Sequence, residues 1–333
     1  KLEEIGHEAQ RAMGEPDLDS TLDDDIGDDL LRLVFTACHP ALSPESRVAL
    51  TLRLIGGLTT EEIAHAYLVP PATIAQRIVR AKRTLAREEI PFEVPSGDEL
   101  PSRLGSVLEV IYAIFNEGYT ATAGEHWTRP TLCEEALRLG RILATLMPSE
   151  PEVHGLVALM EIQASRLRAR SGPGGRPVLL FDQNRALWDR LLINRGLVAL
   201  EKSEGLSNSP GPYTIQAAIA ACHVRAMTPD ETDWARIAGL YDELARLVPS
   251  PVVQLNRAVA VGMAIGPEAG LELVDSLTDD PAMGGYHLLF SVRGDLLSRL
   301  GRTQEARVEF ARAAQLVRNV PERELLLERA GQP

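Results

Sequence analysis

Cysteine is scarce. Cys38, Cys133 and Cys222 stand far apart and are odd in number, which argues against a disulfide framework and fits a reducing compartment. No run of about 18 apolar residues exists to span a bilayer, and no charged-then-apolar start resembles a signal peptide. A cytoplasmic chain without membrane contact is therefore expected. Alternating strand patterns are nearly missing and aromatic residues make up 5% of the 333 residues, so an all-α chain is expected, with enough length for about two domains.

Net positive charge is also lacking. The formal charge is −13, which weighs against nucleic-acid binding by the surface as a whole and moves the question to local charge. From Glu15 to Asp29 eight acidic residues occur without one Lys or Arg, the composition of a solvated linker, and residues 1–29 are assigned to it. Between Pro71 and Arg87 the balance inverts, with Arg77, Arg80, Lys82, Arg83 and Arg87 and no acid.

Helix punctuation surrounds that basic stretch. Ser43-Pro44-Glu45 supplies an N-cap, a proline suited to the first turn and an early acid, and Val48, Leu52 and Ile55 follow at helical spacing. Gly56-Gly57 ends this helix. Thr59 and Glu62 have capping-box spacing ahead of Ile63, Ala66 and Tyr67, and Val69-Pro70-Pro71 breaks the short helix and opens a longer one to about Arg87. This is the order of a helix-turn-helix. In the last helix Ile74, Ile78, Ala81 and Leu85 fall within an arc of roughly 60°, while Thr73, Gln76, Arg77, Arg80, Arg83 and Arg87 share a separate arc of roughly 120°. A helix that lies in the major groove needs such a division. A solvated basic face is the alternative. The candidate DNA-binding residues are Pro71, Thr73, Gln76, Arg77, Arg80, Lys82, Arg83 and Arg87, with Thr73, Gln76 and Arg77 nearest the bases and Arg80, Arg83 and Arg87 toward phosphates.

Leu58-Thr59-Thr60-Glu61-Glu62-Ile63-Ala64, Leu68-Val69-Pro70, Thr73-Ile74 and Arg77-Ile78-Val79-Arg80-Ala81-Lys82 resemble region 4.2 of the sigma-70 family of transcription initiation factors. The stretch Asp29 to Leu42, with Phe115-Asn116-Glu117-Gly118-Tyr119, Pro210-Gly211-Pro212-Tyr213, Gln216-Ala217-Ala218-Ile219, Leu255-Asn256-Arg257-Ala258-Val259-Ala260 and Gly285-Tyr286-His287, is similar to an extracytoplasmic-function subgroup that continues into a tetratricopeptide-like helical domain. Asn184 departs from the acid expected there. The resemblance implies recognition of the promoter −35 element, contact with core RNA polymerase, and a regulatory protein as partner of the appended domain. Nothing in the chain resembles region 2, and the chain begins at Lys1, so a piece of a longer protein is expected. The implied organisation is a linker over 1–29, a region 4 domain over 30–90 and a helical array over 91–333.

Beyond Ile90-Pro91-Phe92, Leu/Ala-rich segments alternate with Pro and Gly. Phe290, Gly294, Leu297, Gly301, Ala306, Phe310 and Ala313 match the small and large positions of a 34-residue helical-hairpin repeat. Ala136 with Pro148, and Ile237 and Tyr241 with Pro249, fit its second helix. Ser171 to Pro177 and Ser207 to Pro212 read as loops. Catalytic signals are weak. Cys38-His39 and Cys222-His223 lack a second ligand pair and read as core positions. Gly172-Pro173-Gly174-Gly175 has no following Gly-Lys-Ser/Thr, and Glu134-Glu135 reads as a helix start. No cofactor, metal or catalytic residue is assigned, and the chain is not expected to be an enzyme. Phe115 to Tyr119 reads as a helix end with Asn or Gly left-handed, or as a polar contact that fixes the two domains. A repeat scaffold that binds protein without DNA is the second functional reading.

Overall fold

Proline sets many of the helix starts. Its fixed φ suits the first turn and its missing N–H is no loss there, and Pro44, Pro71, Pro130, Pro151, Pro212, Pro251 and Pro267 each open a helix. The computed structural model describes residues 29–67 and 69–331, so the acidic segment, apart from Asp29, lies outside the described residues. Four helices come first: α1 over 29–37, α2 (Pro44–Leu54), α3 (Thr60–Ala66) and α4 (Pro71–Arg87). Eleven more follow among the described residues: α5 (Glu99–Tyr119), α6 (Pro130–Leu146), α7 (Pro151–Ala164), α8 (Arg190–Leu206), α9 (Pro212–Arg225), α10 (Trp234–Leu247), α11 (Pro251–Ala264), α12 (Pro267–Asp275), α13 (His287–Arg299), α14 (Thr303–Leu316) and α15 (Val320–Arg329). The all-α expectation holds.

From α5 onward, consecutive helices pack on one another, and those joined by a few residues, such as α6 with α7, α10 with α11 and α13 with α14, form antiparallel pairs. Short connections demand it, since two packed helices joined by a few residues must reverse direction. In the last pair the expected seam is present: Phe290, Leu297, Ala306, Phe310 and Ala313 are buried, and a Cβ on Gly294 would stand 2.7 Å from the Phe310 ring. A larger residue would push α13 off α14. The loop at Ser171 to Pro177 is observed, pinned by a bridge between its two end residues.

Two features close the array on itself. Ala123–Gly124 (β1) pairs in parallel with Arg318–Asn319 (β2), the one sheet among the described residues. Asn319 is 1% exposed. Its amide donates to Ala121 O at 3.1 Å and His126 O at 2.8 Å while its Oδ1 accepts the Glu322 N–H at 3.2 Å. One buried amide thus joins the loop after α5 to the start of α15.

The core does not stop at residue 90. A single apolar cluster runs from Leu31, Phe35, Leu50, Ile63 and Ile74 through Leu104, Val107 and Ile111 of α5 to Leu143 and Met160. The helix-turn-helix and the first three array helices therefore share one interior.

Candidate nucleic-acid interface

The caps legible in the sequence are made. Ser43 Oγ accepts the Ser46 N–H at 3.3 Å at the start of α2. At α3 the box is reciprocal: Thr59 Oγ1 accepts the Glu62 N–H at 3.1 Å, and Glu62 Oε2 accepts the Thr59 N–H at 2.7 Å. Those hydrogen bonds, from the Thr59 backbone and then its side chain, hold the Glu62 carboxyl below its ordinary pKa. Ile63 on α3 and Ile74, Ile78 and Ala81 on α4 are buried together, which fixes α4 across α2 and α3.

The outward side of α4 carries the candidate residues. Gln76, Arg80, Lys82, Arg83 and Arg87 are exposed, and Thr73 and Arg77 are half-buried. Arg77 faces the first turn of α2, where the Glu45 carboxyl is held below its ordinary pKa by its own backbone N–H, by Ser43 and in part by Arg77. Arg87 pairs with Glu88 at 2.8 Å. Among the described residues Arg77, Arg80, Lys82 and Arg83 form no ion pair. At about 100° per residue, Pro71 and Lys82 fall nearly opposite the centre of the arc that brings Thr73, Gln76, Arg77, Arg80, Arg83 and Arg87 together. Beside this arc runs an exposed strip that charge-based reading of the sequence passes over. Ala72, Ala75 and Val79 form it, and Val79 is 46% exposed, unusual for a branched apolar side chain in a helix otherwise packed on one face. Such a strip suits thymine methyl groups. Its signal in the sequence is the absence of a polar residue at positions that periodicity turns outward.

The opposite side of the unit is covered by the array, through arginines that donate to the carbonyl ends of the three supporting helices. Arg103 donates to Phe35 O of α1 at 3.2 Å, Arg138 to Ile55 O at the end of α2 at 2.7 Å, and Arg129 to Ala66 O of α3. Helix C-termini carry unsatisfied carbonyls and partial negative charge, so a guanidinium satisfies both. Arg129 also pairs with Glu117 and donates to Ala123 O at 2.8 Å. The pair is nearly dry, with side chains 13% and 9% exposed. Ser106 Oγ donates to Cys38 O at 2.6 Å. The Tyr67 hydroxyl is buried without a hydrogen-bond partner among the described residues, and burial, with Glu117 adding to it, pushes its pKa up. These hydrogen bonds go to α1, α2 and α3 and not to α4.

Phe115 to Tyr119 requires a correction. No residue there is left-handed; the helix runs on to Tyr119. Gly118 is needed for close approach, since a Cβ would lie 2.7 Å from Cys133 N and 2.9 Å from Arg129 O. The polar contact is made instead by Glu117, through Arg129, to the end of α3. Likewise Glu134-Glu135 does not open its helix, which starts earlier at Pro130, and Glu135 serves to hold Arg138 at 2.7 Å. All three cysteines are buried and free, and His39 Nδ1 accepts the Ala41 N–H at 3.1 Å.

Residues 32–85 match the family model described as sigma-70, region 4. This segment is similar to region 4 of sigma-70 factors. The match starts within α1 and ends within α4, so it covers the helix-turn-helix and the two helices it rests on. Residues 103–204 match a family of unknown function, DUF6596, which takes in α5 to most of α8 and therefore Arg103, Arg129 and Arg138. An uncharacterized protein of Rhizobium meliloti (strain 1021), R00370, is 48% identical over 295 residues, covering 89% of this chain and 69% of its own length. This chain and that protein are members of one family.

Proposed function

We propose that α4 enters the major groove of the promoter −35 element and that this chain works as a sigma factor of the extracytoplasmic-function type. The observation that carries the reading is the sidedness of α4. Its apolar stripe is buried, among the described residues its cationic arc forms no ion pair apart from that of Arg87 with Glu88, and the array's arginines meet the unit at the ends of α1, α2 and α3. Thr73, Gln76 and Arg77 lie toward the N-terminal end, where recognition helices meet base edges, and Gln76 suits adenine while Arg77 suits guanine. Arg80, Arg83 and Arg87 continue toward phosphates and set register. Residues 30–90 act as the region 4 domain, which also contacts core RNA polymerase. Residues 91–333 act as a tetratricopeptide-like domain that mediates contacts with a regulatory protein, and the acidic linker precedes both. Such a factor works in the cytoplasm.

The test is binding to a −35-containing duplex, alone at low salt and as reconstituted holoenzyme. Arg77→Ala is expected to relax preference at one base pair by about 1–3 kcal/mol. Arg83→Ala is expected to weaken all duplexes alike. Intact −35-dependent binding and transcription in both Arg77→Ala and Arg80→Ala would overturn the groove placement.

A further inference from the structure

The array holds a cavity of about 420 Å³ between the loop after α7 and helices α9, α10, α11 and α13. We propose that it binds a small organic acid, a flat apolar body carrying one anionic group, with Trp234 and Phe181 as walls and Arg299 at the rim. Neither family match assigns a ligand there, and the proposal does not rest on DNA binding.

The volume is that of a small-molecule site, which holds about 300–1,000 Å³. The walls are aromatic. Phe181 and Trp234 have ring centroids 6.0 Å apart, and His223 meets Trp234 edge-on at 5.2 Å. Phe181 is 47% exposed on its loop, an aromatic ring with no interior to fill. Polar capacity is left over as well: among the described residues neither the Tyr241 hydroxyl nor the Asn256 amide, both lining the cavity, makes a side-chain hydrogen bond.

Charge selects the sign of the ligand. Two charged side chains line the cavity, Asp295 and Arg299. Asp295 is compensated by an ion pair with Arg329. Arg299 donates to the Met263 sulfur at 3.0 Å and has no carboxylate partner among the described residues. Burial first, and then the positive potential of Arg166 and Arg185 behind the wall, bring the His223 pKa down to about 4. The imidazole is neutral at pH 7 and adds no charge of its own, so the positive potential at the cavity comes from Arg299 at its rim with Arg166 and Arg185 behind it, and in a partly desolvated setting this favours an anion.

The test is isothermal titration calorimetry of the whole chain with 2-naphthoate and, as a neutral control, methyl 2-naphthoate. The acid is expected to bind saturably and at least about tenfold more tightly than the ester, roughly 1.4 kcal/mol. Trp234→Ala is expected to abolish binding, and Arg299→Gln to remove the preference for the acid. Phe181→Ala, on an exposed loop, keeps the test sound if Trp234→Ala misfolds; it is expected to weaken the acid about tenfold. No saturable heat from either compound, equal binding of acid and ester, or affinity unchanged in Phe181→Ala would overturn the proposal. Saturable heat from an amphipathic helical peptide of leucine and glutamate, with none from naphthoate, would assign the cavity to a protein partner and overturn it too.

Discussion

Arg129→Met is expected to show that the array holds up the helix-turn-helix. The substitution keeps an unbranched side chain and removes three contacts at once, to Glu117, to Ala66 O and to Ala123 O. Breaking a dry ion pair from one side leaves a buried charge without a partner and costs about 3–5 kcal/mol. The Ala66 end lines a cavity shared with Leu58, His126 and Glu135, so water can reach that carbonyl and the lower end, about 3 kcal/mol, is expected. Equilibrium urea unfolding of the whole chain measures the total. The double variant Glu117→Leu with Arg129→Met is expected to recover much of the loss, since two apolar groups replace a desolvated pair. Hydrogen exchange locates the damage: α3 amides are expected to lose protection before those of α9 and α10, because Arg129 caps α3 and not the later pairs. A loss below about 1 kcal/mol, within the range of an exposed pair, would refute the reasoning.

Gly118→Ala is expected to lower the melting temperature even though alanine gains about 1 kcal/mol of helix propensity, because the new Cβ meets the Cys133 and Arg129 backbones; a rise would contradict the close-packing account. Asn319→Leu strips both carbonyl partners of the clasp and is expected to cost about 1–3 kcal/mol by urea unfolding, with faster proteolysis near residues 121–126. Ser43→Ala is expected to cost about 1 kcal/mol through the lost cap of α2. The Glu62 carboxyl is depressed in the folded state, so its support of α3 is present above 4.5, its ordinary value, and is lost as pH falls through the lower folded value; α3 amide protection measured across that range should decline on acidification, and a rise would contradict the sign.

Local features were legible and distant ones were not. Ser43, Thr59, Glu62 and Pro71 announce helix starts because a cap is a contact between residues two or three apart, and Ile74, Ile78 and Ala81 announce their burial through period alone. Arg103, Arg129 and Arg138 carry no such mark. Their acceptors are backbone carbonyls 68, 63 and 83 residues away, and a carbonyl has no residue type to read. The Asn319 clasp is hidden for the same reason, across 198 and 193 residues. The shared core is the largest such feature. Leu104, Val107 and Ile111 have an ordinary helical pattern, and nothing in the pattern says that the surface they cover belongs to the helix-turn-helix.

The measurement that bears most directly on the account is the salt dependence of binding to a −35-containing duplex. If Arg80, Arg83 and Arg87 each neutralise a phosphate, log K should fall against log salt concentration with a slope of about −3, and Arg83→Ala should bring it to about −2. A slope near zero, or one that Arg83→Ala leaves unchanged, would contradict the placement of α4 on DNA.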